Sequence, residues 1–94
     1  MDLISGIFYV IKRDNYEEVL NDFFPYINQR YINIARNFKT NKKYPVLAVN
    51  EVTLIADDDS TIETARFLVP TENGNFLWVL SEIFKFAGIA AEQT

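Results

Sequence analysis

The sequence predicts an α+β fold: an N-terminal strand, then a kinked helix or two helices at about 15–38, then a C-terminal antiparallel sheet or small barrel. Three observations carry this. An apolar, β-prone run stands near the N-terminus, a helical-period stripe follows it, and an Asn-Gly dipeptide separates two apolar runs in the second half. The chain of 94 residues is read as a single domain, 1–94, with no repeat or linker to divide it. Apolar residues make up 49% of it, which favours a packed globule over a disordered chain.

Ile7 to Lys12 reads as the first strand, because Ile, Phe, Tyr and Val in succession favour extended backbone. Asp14 or Asn15 then offers an N-cap, with Glu17 or Glu18 at capping-box spacing and well placed for the helix dipole. Val19, Phe23, Ile27, Tyr31, Ile34 and Phe38 recur at helical period, and Leu20, Phe24 and Ala35 widen the stripe. Pro25 lacks a donor and disfavours helix at Phe24, so the stripe should divide near 15–24 and 26–38. Lys39 to Lys43 reads as a polar, basic loop.

Strands are expected at Tyr44–Val49, with Pro45 near its start, then at Val52–Ala56 and Thr61–Val69. The turn at Asp57-Asp58-Asp59-Ser60 joins the last two. Asn73-Gly74 suggests a tight type I′ hairpin, which would set Val69 against Trp78 and Phe67 against Leu80 and leave both faces apolar. A competing reading makes Phe76–Ala87 a helix, since Phe76, Val79, Leu80, Ile83 and Ala87 fit its spacing and Gly88 suits a C-cap. That alternative gives a βαββα fold with a C-terminal helix at 76–87. A third option is a strand to Leu80, a helical turn over Ser81–Phe84 and a short strand at Lys85–Ile89.

The segments Tyr44–Val49, Thr53–Asp59 and Gly74–Phe86, with that strand, Asp-rich turn, hairpin and closing helical turn, resemble small β-barrels of the Src-homology type found in short bacteriophage proteins. The resemblance covers the C-terminal half only and implies a barrel there. It carries over no functional residue. Nine Asn and ten Ile beside abundant Phe and Tyr match the bias of AT-rich genomes, many bacteriophages included.

The residue inventory excludes much chemistry. With no His and no Cys, the neutral-pH general base, thiolate nucleophiles and imidazole or thiolate metal ligands are all missing. The three isolated glycines build no phosphate cradle. A calcium loop counted from Asp57 fails, because its sixth and twelfth positions are Ile62 and Leu68. The expectation is therefore no catalytic residue, no cofactor and no metal. The run Ile4–Ile11 is too short to span a bilayer and lacks a signal peptide's flanks, so a cytoplasmic, non-membrane protein is expected.

Charge is segregated. Between Asp22 and Glu51 there are five cations and no acid; from Tyr44 onward eight acids face only Arg66 and Lys85. Glu51, Asp57, Asp58, Asp59, Glu63 and Glu72 form a candidate acidic surface, a phosphate-like array for a basic partner. Trp78 is a candidate anchor for a protein partner, or else part of the core. These features suggest a non-catalytic inhibitor of phage or mobile-element origin that occludes a host protein or defence complex. Two alternatives stand beside it. One is a nucleic-acid-binding domain using Arg30, Arg36, Lys39, Lys42 and Lys43; the other is a homo-oligomer, such as a homodimer, assembled through the hairpin's second apolar face.

Overall fold

The computed structural model describes residues 7–23, 29–55 and 58–89. The helix break expected at Pro25 and the acid Asp57 lie outside the described residues. The elements run β1 (Phe8–Lys12), α1 (Tyr16–Phe23), α2 (Gln29–Ala35), β2 (Lys43–Val46), β3 (Ala48–Ile55), β4 (Thr61–Pro70), β5 (Phe76–Leu80), a 3-10 turn (Ser81–Ile83) and β6 (Phe84–Ile89). Mixed α+β composition is as expected, with strand dominating. The strands form two antiparallel three-stranded sheets, ordered β2-β1-β6 and β3-β4-β5.

Two short joins connect the sheets. Leu47 alone separates β2 from β3, and its N–H donates to the Leu68 carbonyl at 2.9 Å, tying the corner to β4. The 3-10 turn carries the chain from β5 into β6, which pairs with β1. This corrects the split expected near Asn50-Glu51: both residues sit inside β3, paired with Arg66 and Ala65. They are polar because they face solvent, not because the chain turns there. Pro45 lies in β2, an edge strand of its sheet, where a missing donor interrupts no ladder.

The helices lie between the first strand and the rest, as predicted. The Asn15 carbonyl accepts the Val19 N–H at 3.1 Å, as an N-cap residue's should. α2 stops at Ala35, short of the expected 38, because i→i−3 bonds from Asn37 to Ile34 and from Phe38 to Ala35 tighten its end. Among the described residues of this region, Leu20, Ile32, Ala35 and Phe38 are buried; the stripe read from sequence overlooked Ile32. α1 packs beside the 3-10 turn and α2 beside β5.

The alternative helix at 76–87 is not formed. Phe76–Leu80 is strand, Ser81–Ile83 a single 3-10 turn and Phe84–Ile89 strand, close to the third sequence option. Helical spacing appeared because Val79 and Leu80 point to opposite sides of β5 and yet both are buried.

The hairpin forms, but in another register: Trp78 opposes Leu68, Leu77 opposes Val69 and Val79 opposes Phe67. A one-residue shift exchanges every facing pair. Its cause is the loop. Thr71 N–H donates to the Asn75 carbonyl at 2.7 Å, enclosing Glu72, Asn73 and Gly74, and of the three only Gly74 has positive φ (87°). That is a three-residue loop with glycine in the left-handed position, not the two-residue type I′ turn.

A chain of aromatic contacts crosses the interior. Tyr44 meets Phe38 edge-on at 5.1 Å, Phe38 meets Phe84 at 5.6 Å, and Phe84 stacks on Phe67 at 6.4 Å. Phe67 then meets Phe8 at 5.3 Å, and Phe8 meets Phe86 at 6.0 Å. Among the described residues, one charged side chain joins this core. Lys12, 7% exposed, reaches from β1 to the end of α2, where its ammonium donates to the carbonyls of Ala35 (3.2 Å) and Phe38. A cation suits the negative end of a helix, and the Tyr16 ring covers this one at 4.7 Å.

Candidate functional site

Side-chain alternation divides the β4–β5 hairpin into two faces. Phe67, Val69, Leu77 and Val79 turn to the core side, where Val69 and Val79 are fully buried. Arg66, Leu68, Pro70, Phe76 and Trp78 share the other face. There Phe76 is 52% and Trp78 37% exposed, so Trp78 is not a core anchor. The Arg66 guanidinium lies over the Trp78 ring at 5.8 Å. Sequence reading found Trp78 but overlooked Arg66 and Phe76 beside it. Arg66 carried a signal: it is one of only two cations after Tyr44.

The expected acidic array divides. Glu51 and Glu63 come together on the β3–β4 pair, lining a groove of about 680 Å³ whose wall at one end is Ser81 and Glu82. Glu82, missed because its segment read ambiguously, accepts the Thr64 hydroxyl at 2.8 and 2.6 Å. Asp58 and Asp59 sit in the turn between β3 and β4, where Asp58 accepts from the Ser60 N–H (3.1 Å) and hydroxyl (2.6 Å). Those hydrogen bonds hold Asp58 below the usual carboxylate range. Among the described residues no group of three or more carboxylates could hold a metal ion.

Glu72 belongs elsewhere. It lies among the basic residues, accepting from Lys42 Nζ at 2.5 Å and from the Tyr44 hydroxyl at 3.0 Å. Lys42 first, then Tyr44, holds its carboxylate below the ordinary range, while Glu72 in turn raises Lys42. Tyr44 is raised, chiefly by burial, and its hydroxyl also accepts the Lys39 N–H at 2.8 Å. The 39–43 loop is thus pinned, with Asn41 in the left-handed region at φ 62°.

A pH dependence follows. Because Glu72 and Asp58 are depressed in the fold, the unfolded chain takes up their protons first as pH falls. Their stabilising contribution is present at neutral pH and is lost as pH drops through the carboxylate range toward their folded values. Glu72→Gln should therefore show a shallower loss of stability in acid than the wild type. Urea unfolding at stepped pH measures this, and identical slopes would contradict it.

The basic candidates are partly engaged internally. Arg36 reaches Asn33 at 3.1 Å and Glu17 at 3.5 Å, Lys42 pairs with Glu72, and Arg30 lies over the Tyr31 ring at 5.8 Å. Lys39 is exposed on the loop after α2, and Lys43, expected in that loop, is exposed at the first position of β2, opposite Ile11. The five therefore do not present five uncompensated charges to a polyanion. No helix among the described residues is long and apolar enough to cross a membrane. Compared with protein-family models, curated proteins and solved structures, the chain matched none.

Proposed function

We propose that the protein is a non-catalytic protein-binding module, and that the outer face of β4–β5 is its contact surface. One observation carries this reading: Trp78 and Phe76 stand exposed on one face of β5, with the Arg66 guanidinium against the indole. Trp and Arg are the side chains that most often concentrate binding energy at protein interfaces, and Leu68 and Pro70 supply an apolar surround. Glu51 and Glu63, on the opposite face of the adjoining β3–β4 pair, favour a partner with basic surface that also reaches that side. The internal pairing of Lys42 and Arg36 disfavours the nucleic-acid alternative.

The finer reading keeps the same mechanism. The module occludes a surface of a host protein or defence complex in the host cytoplasm, in line with the composition shared with bacteriophage genomes. The two sheets joined at Leu47 and through the 3-10 turn, with β6 returning to β1, support a small barrel of the Src-homology type whose first connection holds α1 and α2.

The test compares the wild type with Trp78→Ala/Phe76→Ser in affinity capture from candidate host cells, followed by titration of each retained protein in pure form. Loss of a buried Trp anchor costs about 2 kcal/mol or more, roughly 30-fold in Kd. Unchanged affinity in a variant of unaltered circular dichroism, or no retained protein at all, would overturn the proposal.

A further inference from the structure

β4 is longer than the strand that covers it. It runs Thr61–Pro70, whereas β5 pairs only with Arg66–Pro70. Among the described residues, Thr61–Ala65 pairs as strand with β3 alone, and the 3-10 turn beyond β5 packs beside its Thr64–Ala65 end, leaving Thr61–Glu63 uncovered. Two hydrogen bonds fix which way its backbone points. The Leu68 carbonyl accepts Leu47 on the β3 side, and the Thr71 N–H donates to Asn75 on the β5 side. Alternation then turns the N–H and C=O of Thr61 and Glu63 toward the uncovered side.

The acidic groove borders this edge. Glu51 lies opposite Ala65 and Glu63 opposite Thr53, so the two glutamates are diagonal neighbours on one face. Neither has an ion-pair partner among the described residues, and no cation lines the groove. Glu82 stands at its end, held by Thr64. The three carboxylates are spread along the strand and form no metal-holding group.

We propose that the groove takes an extended, basic segment of a partner protein. The segment adds to β4 at Thr61–Glu63 as an edge strand, stopping against the 3-10 turn, with Lys or Arg side chains over Glu51, Glu63 and Glu82. An added strand satisfies backbone groups that no side chain, helix or polyanion can pair in series. The carboxylates select the sign of its charge and relieve their own repulsion by binding it. This inference rests on the protein-binding reading and supplies that reading with a second site and a partner chemistry.

The probe is a capped octapeptide of alternating Lys and Val, titrated into the ¹⁵N-labelled full chain at low salt. Its control is the same peptide N-methylated at alternate residues, which keeps the charge but cannot pair as a strand. Expected are slowed exchange at the Thr61 and Glu63 amides and binding at least tenfold weaker for the control. The Glu51→Gln/Glu63→Gln/Glu82→Gln variant should bind at least tenfold more weakly too, and binding should fall as salt is raised. Equal binding of the two peptides, unchanged affinity in the variant, shifts confined to other strands, or no binding would overturn the site. The variant is also titrated with any partner captured through Trp78. Retained binding there, with the peptide result negative, removes the groove and leaves the protein-binding reading standing; absence of any captured partner removes that reading itself.

Discussion

Replacing Phe38 by alanine should cost about 4 kcal/mol of folding stability, within the range for buried aromatic truncations. The ring is 2% exposed and makes edge-on contacts with both Tyr44 and Phe84. It stands just beyond α2 and so ties the helical layer to β2 and β6 together. Small domains hold only about 5–15 kcal/mol in total, so a loss this large takes a substantial part of the margin. At about 4–8 °C per kcal/mol, the melting temperature should fall by about 15–30 °C. Phe38→Leu, which refills most of the volume, should cost less than half as much. Thermal unfolding followed by circular dichroism distinguishes the two; equal, small losses would show that the ring is not a keystone of the core.

Lys12→Met should cost about 2 kcal/mol of folding stability. Methionine matches the lysine stem in length and apolar character, so the packing cost is slight. What is lost is the donor to two carbonyls at the end of α2; the Ala35 carbonyl keeps the Phe38 N–H, but the Phe38 carbonyl loses the Lys12 donor, and a buried polar group left unpaired costs about 1–3 kcal/mol. Removing an ammonium that was costly to bury offsets part of this. The pH dependence separates the two contributions. Burial holds the Lys12 ammonium below the ordinary lysine value, so in the alkaline window between the folded and ordinary values the unfolded chain binds more protons. The Lys12 contribution to stability therefore rises with pH there, while raised Tyr44 works in the opposite direction as it loses its proton. The difference between wild type and Lys12→Met cancels Tyr44 and should widen with pH across that window. A difference that stays flat would mean the ammonium is not desolvated in the fold.

Much of this fold was legible because local preference and final structure agree. The β-branched and aromatic run at Ile7–Lys12 is strand, the capped stripe after Asn15 is helix, and Asn73-Gly74 is a hairpin loop. Other features depend on contacts that no short window contains. The corner at Leu47 has neither Gly nor Pro to mark it, and is made by a hydrogen bond to a residue twenty-one positions later. The hairpin register hinges on whether two or three residues close the loop, which the same dipeptide allows. Val79 and Leu80 escape alternation because both are buried at the end of β5, where α2 packs and the chain enters the 3-10 turn.

The site was legible in kind more than in arrangement. Trp78, Glu51 and Glu63 could be picked out by residue type, but Glu72 pairs with Lys42 across thirty positions and so leaves the acidic surface it was grouped with. Lys12 in the core was invisible, since a lysine at a strand end ordinarily reads as solvated.

The sequence holds one tryptophan, and it stands on the outer face of β5 with a guanidinium against its ring. Its fluorescence is therefore an indicator of what occupies that face rather than of whether the interior is intact. Emission should shift when a partner lies over the indole and excludes water from it. The interior has its own optical signature in the edge-on Phe38–Tyr44 pair, read in the near-ultraviolet dichroism of tyrosine. The unmodified chain thus carries two separable probes, one for recognition and one for folding.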